Sequence, residues 1–181
     1  MIFRKNFNYI LFIGFLMTIK IRNRHRLKNK EIKNIGEILS RNFDSDFNFN
    51  NCVFETGIVD GKKIIFVNNE PCFVYLDSDI VFTFFGLNRF QPKNKFVVVD
   101  MGAVKFVTNG ADVMSPGIVE CDENISKGDQ VFVCDERNKK PLAVCYALLD
   151  GSEMKNKNKG RACETIFYVG NKLYNLLAKS L

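Results

Sequence analysis

Apolar residues recur at three- and four-residue intervals through Ile32, Ile35, Ile38, Leu39 and Phe43, which predicts a helix with one buried stripe while Lys33, Glu37 and Arg41 face water. Ahead of it, Ile19 and Ile21 alternate with Lys20 and Arg22, the two-residue period of a strand. The Asp- and Asn-rich stretch from Asn42 to Asn51 should turn the chain out of the helix. Three strand-like runs follow, Val53–Val59, Lys63–Asn68 and Cys72–Leu76, the first two joined by Asp60-Gly61, a pair suited to a tight hairpin turn. The run Asp77–Asn88 is apolar at Ile80, Val81, Phe84, Phe85 and Leu87 and suits a helix or a strand; a short helix is the expectation. Arg89–Lys95, polar with one proline, reads as a linker.

Beyond the linker the pattern is mostly β. Phe96–Val99 reads as a continuous apolar strand and Gly102–Asn109 as a short helix. Strands are expected near Val113–Met114, Gln130–Cys134, Leu142–Leu149 and Thr165–Val169, and a final helix over Asn171–Leu177. The fold class is therefore α+β: a small N-terminal α+β domain over 17–93, then a small β-barrel over 96–178 with two short helices at its ends. No internal repeat or low-complexity tract interrupts this order.

Composition narrows the partners. The chain has 181 residues, enough for two small cores, and its 26 Lys and Arg against 20 Asp and Glu leave a formal charge of +6, which suits a polyanion. A cluster of cations, Arg22, Arg24, His25, Arg26, Lys28 and Lys30, forms a secondary basic patch. The six cysteines never stand at the two-residue spacing of zinc ribbons or redox motifs, so no metal or other cofactor is expected. Cys72, Cys134 and Cys145 lie in apolar runs and should be reduced core side chains. Arg4 and Lys5 followed by the apolar Tyr9–Leu16 imitate a signal peptide, but no small-residue cleavage site follows and the run is shorter than the ~20 residues that span a bilayer. Translation is expected to start at Met17, leaving 1–16 as an artefact of start assignment or a disordered extension, and the protein is expected in the cytoplasm with no membrane partner.

The chemistry concentrates in Val97–Ile118. Asp100 is placed to cap the helix, Ala103, Phe106 and Val107 to face the barrel, and Lys105 and Thr108 to face outward. Asn109-Gly110 should end the helix through a left-handed residue. Gly110 and Ala111 lack bulk, so a nucleotide could lie on the backbone there and be read by main-chain groups.

This stretch, with Lys127-Gly128-Asp129-Gln130-Val131 and Lys159-Gly160-Arg161-Ala162, resembles the PUA domain, a pseudobarrel of pseudouridine synthases, archaeosine transglycosylases and several translation proteins. From Met17 onward the chain looks like the small two-domain family typified by the protein of multiple copies in T-cell malignancy, its yeast translation-machinery-associated relative and their archaeal counterparts. The Val67-Asn68-Asn69-Glu70-Pro71 turn and Val99–Val107 carry that likeness, and the basic run Arg22–Lys30 is archaeal in character. The resemblance implies a pre-PUA domain followed by a PUA domain that binds the tRNA acceptor end or small-subunit rRNA. It also implies work on the small ribosomal subunit in initiation, reinitiation or recycling, with an initiation-factor-like protein as a further partner.

On this reading RNA is bound by Lys105, Asn109, Gly110, Ala111, Asp112, Met114, Lys159 and Arg161: cations for phosphates, small residues as a shelf, Met114 against a base, and Asp112 accepting from an exocyclic amine. Asp112 could equally bond only to local backbone, and Met114 could be core. No catalytic residue is expected: the first 93 residues hold no nucleotide-binding glycine loop, no Ser/His/Asp set and one histidine, His25, in a basic run, while Asp77 and Asp79 read as a turn. The alternatives are a non-catalytic targeting subunit or remnant of an RNA-modifying enzyme, and a protein-binding adaptor.

Overall fold

The computed structural model describes residues 20–43, 46–77, 79–156 and 159–179. Ile19, the proposed start at Met17 and the stretch 1–16 lie outside the described residues, as does Lys157. Strand β1 (Arg22–Arg26) leads into α1 (Asn29–Phe43), where Ile35, Leu39 and Phe43 form the buried stripe that the spacing predicts. A meander follows: β2 (Phe54–Val59), β3 (Lys62–Val67), β4 (Glu70–Leu76) and β5 (Asp79–Phe82) pair antiparallel in the order β1-β2-β3-β4-β5. Asp60 and Gly61 both adopt positive φ at the β2–β3 turn, as a tight hairpin of right-twisted strands requires. The turn region after α1 is not idle, because Phe47 and Phe49 pack back on Phe43, Phe54 and Phe90 in an edge-to-face cluster.

The stretch expected as one short helix divides at Thr83. Asp79–Phe82 pairs with β4, and α2 (Phe84–Phe90) begins where the Thr83 hydroxyl accepts from the Gly86 amide and donates to the Pro71 carbonyl. Hydroxyl capping stops the strand and starts the helix within one residue. Nor is Arg89–Lys95 a free linker: Phe90 joins the aromatic cluster, and Lys95 is 6% exposed, its ammonium held by the Asp129 carboxylate at 2.9 Å and the Asn124 carbonyl at 2.7 Å.

The second sheet comprises β6 (Phe96–Val99), β7 (Val113–Met114), β8 (Ile118–Cys121), β9 (Gln130–Asp135), β10 (Pro141–Ala147) and β11 (Arg161–Tyr168), in the order β7-β11-β10-β9-β6-β8. Only the β6–β9 pair is parallel among these neighbours, and the sheet curls barrel-like around Val97, Val99, Val131, Val133, Ala143, Cys145 and Cys163. Helices α3 (Met101–Val107), α4 (Gly151–Met154) and α5 (Lys172–Ala178) accompany it. Strand β8 and the one-turn α4 went unread in the sequence, each being only four residues long. All six cysteines are free, and burial pushes the thiols of Cys72, Cys134 and Cys145 up to about 12, so they are protonated, packed side chains at neutral pH.

The two sheets share a dry seam. Strand β10 is buried on both faces: Ala143 and Cys145 point into the barrel, while Val144 joins the core of the five-stranded sheet together with Phe167, Leu173 and Leu177. Phe84 stacks on Phe167 at 5.1 Å and meets Tyr174 edge-on at 5.4 Å. Gln130, 4% exposed, reaches from β9 to the free edge of β5, accepting from the Phe82 amide and donating to the Ile80 carbonyl, both at 3.2 Å. Beside it the Tyr146 hydroxyl donates to Asp79 at 2.6 Å.

Candidate nucleic-acid interface

The barrel's main concavity is built by α3 and the chain that returns from it. Asp100 Oδ1 accepts from the Ala103 amide at 2.8 Å and Glu136 accepts from the Met101 amide at 3.0 Å, satisfying the first free donors of α3. At the other end Gly110 takes φ +85°, and the amides of Gly110 and Ala111 donate to the Val107 and Phe106 carbonyls. Asn109 closes the last turn by donating its side-chain amide to the Lys105 carbonyl at 2.8 Å. The chain then reverses into β7 and a 3-10 turn over Ser115–Gly117, leaving a groove of about 690 Å³. Ala103, Phe106, Val107, Val113, Met114 and Pro116 make its walls apolar.

Phe106 does not face the barrel, as its place in the sequence suggested: it is 56% exposed and lines the groove together with Met114, which is 48% exposed. The inward stripe of α3 runs through Ala103, Val104 and Val107, so Ala103 and Val107 lie as expected and Val104 takes the place of Phe106. A signal was present, since five of the helix's seven residues are apolar, more than one buried stripe consumes. Phe106 and Met114 thus give the groove an exposed apolar lining. The roles of Ala103 and Pro116 in lining the groove were missed for want of any local signal.

Other expected site residues are brought together but spend their valence on one another. Asp112 accepts from the Arg161 guanidinium at 2.8 Å and from the Thr165 amide at 3.0 Å, while the Thr165 hydroxyl donates to the Ala111 carbonyl. These bonds reinforce the β7–β11 pairing, where Arg161 stands opposite Met114. Gly110 is small for a reason other than the one anticipated: a Cβ there would fall 2.6 Å from the Tyr168 ring, so a protein aromatic already covers part of the shelf. Lys105 lies with its ammonium 4.8 Å from the Phe106 ring centroid, and neither it nor Lys159 forms an ion pair among the described residues. Both are free to meet a phosphate. Ser115, buried next to the groove, has its hydroxyl without a hydrogen-bond partner among the described residues.

The Thr165 amide and then the Arg161 guanidinium hold the Asp112 carboxyl below its usual range. A carboxylate with a depressed folded value stabilises the fold fully above its unfolded pKa of about 3.9, and loses that contribution as pH falls through the folded value. Wild type and Asp112→Asn are therefore expected to differ most in melting temperature above the unfolded carboxyl pKa of about 3.9, with the gap closing as pH falls below it. A gap that widened with acid would contradict the assignment.

The secondary basic patch lies elsewhere, on β1 of the first sheet. Arg24 is fixed there by Glu55 and Asn69, each at 2.6 Å, and lies over the Phe66 ring. His25 is exposed, its Nδ1 2.9 Å from the Asn23 carbonyl. Among the described residues no helix is long and apolar enough to cross a membrane.

The comparisons with known proteins agree with this geometry. The PUA domain model matches residues 95–169, the stretch that contains the groove. An uncharacterized protein of Methanocaldococcus jannaschii is 43% identical over 160 residues, covering 87% of this chain and 98% of that one. Translation machinery-associated protein 20 of Schizosaccharomyces pombe is 35% identical over 85 residues, 45% of this chain and 47% of its own. The crystal structure of a hypothetical protein from Pyrococcus horikoshii OT3 superposes with a TM-score of 0.76 at 35% identity, covering 85% of this chain and 99% of that one. With its fold and near end-to-end archaeal relatives in accord, the chain belongs to the same family as the Methanocaldococcus jannaschii protein, small archaeal proteins to which it is similar along nearly their whole length, and carries a PUA domain over residues 95–169.

Proposed function

We propose that this protein is a non-catalytic RNA-binding factor of the translation machinery, whose groove beside α3 takes the unpaired end of an RNA such as the tRNA acceptor. The observation that carries the reading is the apolar groove itself, lined by the exposed side chains of Phe106 and Met114, with the Lys105 ammonium 4.8 Å from the Phe106 ring centroid. Unstacked bases are held by flat or flexible apolar side chains, and phosphates by nearby cations. Asn109, Gly110, Ala111, Asp112 and Arg161 act here as the frame of the groove, with Lys105 and Lys159 meeting phosphate. The non-catalytic reading is supported by protonated, buried thiols, by an exposed histidine on a strand, and by Asp79 being engaged with Tyr146. Action on the small ribosomal subunit, in the cytoplasm and beside an initiation-factor-like partner, follows the relatives' association with translation.

The test is the affinity of a hairpin RNA ending in an unpaired CCA, followed by fluorescence anisotropy. Phe106→Ala with Met114→Ala is expected to weaken it about 10- to 100-fold, since base stacking of this kind contributes about 1–3 kcal/mol per base. Both side chains are exposed, so the melting temperature should hardly move. Unchanged affinity would replace this reading with that of a protein-binding adaptor.

A further inference from the structure

The charge of this protein is not spread over it. Residues 20–33 hold seven of the chain's 26 lysines and arginines and one of its 20 acids, so the rest of the chain balances 19 against 19. The formal +6 of the whole molecule is thus the charge of one short segment, which the fold lays out as the exposed edge strand β1 and the first turn of α1. Within it Arg22, Arg26, Lys28 and Lys30 are exposed and form no ion pair among the described residues. The one acid, Glu31, accepts from the Lys28 amide as part of the helix cap. Folding gives no reason for Lys28 and Lys30 at that place: the positive end of a helix dipole disfavours a cation by about 0.3–1 kcal/mol.

We propose that β1 and the start of α1 form a phosphate-binding face for the backbone of double-stranded RNA, on a different sheet from the groove that takes an unpaired end. A duplex rather than a single strand fits, because none of the exposed large apolar side chains lies on this segment, and single-strand binding needs a stacking platform. Anchoring fits too: Arg24 holds the segment on Glu55, Asn69 and Phe66. Such contacts set register and orientation without reading sequence. The proposal rests on the RNA reading above and adds a second, separable contact to it.

The test uses the full chain and a blunt RNA hairpin with no unpaired end, titrated between about 50 and about 200 mM KCl. Changing Arg22, Arg26, Lys28 and Lys30 together to glutamine is expected to weaken binding about 100-fold at low salt and to flatten the slope of log affinity against log salt by about three. Should that variant melt early, Arg22→Gln with Arg26→Gln is expected to flatten the slope by about two. The groove variant, Phe106→Ala with Met114→Ala, should bind the blunt hairpin like wild type. A folded basic-face variant with wild-type affinity and slope overturns the proposal, as does wild-type binding to phosphatidylserine vesicles with none to the hairpin. Loss of hairpin binding in the basic-face variant, with no effect of the groove variant on the CCA-tailed RNA, upholds this face and overturns the groove.

Discussion

Replacing Gly86 by alanine is expected to cost at least about 3 kcal/mol of folding stability, more than most single substitutions in any protein. A Cβ at this position would stand 2.1 Å from the Cys72 carbonyl oxygen, with the Cys72 carbonyl carbon and the Phe82 ring both at 2.9 Å. The first two are backbone atoms in the middle of the sheet, and neither can rotate away. The Cys72 oxygen is also the acceptor for the Thr83 amide at 2.9 Å, the bond that fixes where β5 gives way to α2. Relief therefore requires α2 to lift from β4, which would part Phe90 from Phe73 and Phe47 in the aromatic cluster. Urea unfolding monitored by circular dichroism should show the midpoint falling sharply. A loss below about 1 kcal/mol would mean that the helix is free to slide, contrary to this packing.

The next largest effect belongs to Gln130→Leu. The leucine fills a similar volume but leaves the Phe82 amide and the Ile80 carbonyl, both buried at a strand edge, without their partner. An unsatisfied buried backbone group costs about 1–3 kcal/mol, so the pair predicts a loss of about 2–6 kcal/mol. Hydrogen exchange adds a local readout, because the Phe82 amide should lose protection while the barrel amides of β9 and β10 keep theirs. Equal loss everywhere would show that the side chain acts on global stability and does not zip the two sheets.

Much of the fold was legible because its causes are local. The α1 stripe, the Asp60-Gly61 turn and the Asp100 cap each follow from residues within one or two turns of chain, and each forms where the pattern predicts. The misreadings have distant causes. Lys95 looks like any polar linker residue until Asp129 and Asn124 arrive from 34 and 29 positions away. Asp112 and Arg161 were each legible as site residues, but their engagement with each other joins segments 49 positions apart. Phe106 was misplaced because a seven-residue helix gives too few turns to distinguish one apolar stripe from another. Gln130 gave no signal at all, since a glutamine opening a strand is ordinary until it meets an unpaired edge.

In eight residues strand β11 reaches the groove, the barrel core and the neighbouring core. Arg161 braces the groove, Cys163 lies in the barrel, Phe167 lies against Phe84 in the other core, and Tyr168 covers Gly110 before the chain runs into α5. In this chain the segment recognisable as a PUA module by sequence therefore shares apolar surface with its neighbour. Excised over 95–169, it would carry Val144 and Phe167 as a wet apolar scar and leave behind the α5 leucines that close the neighbouring core.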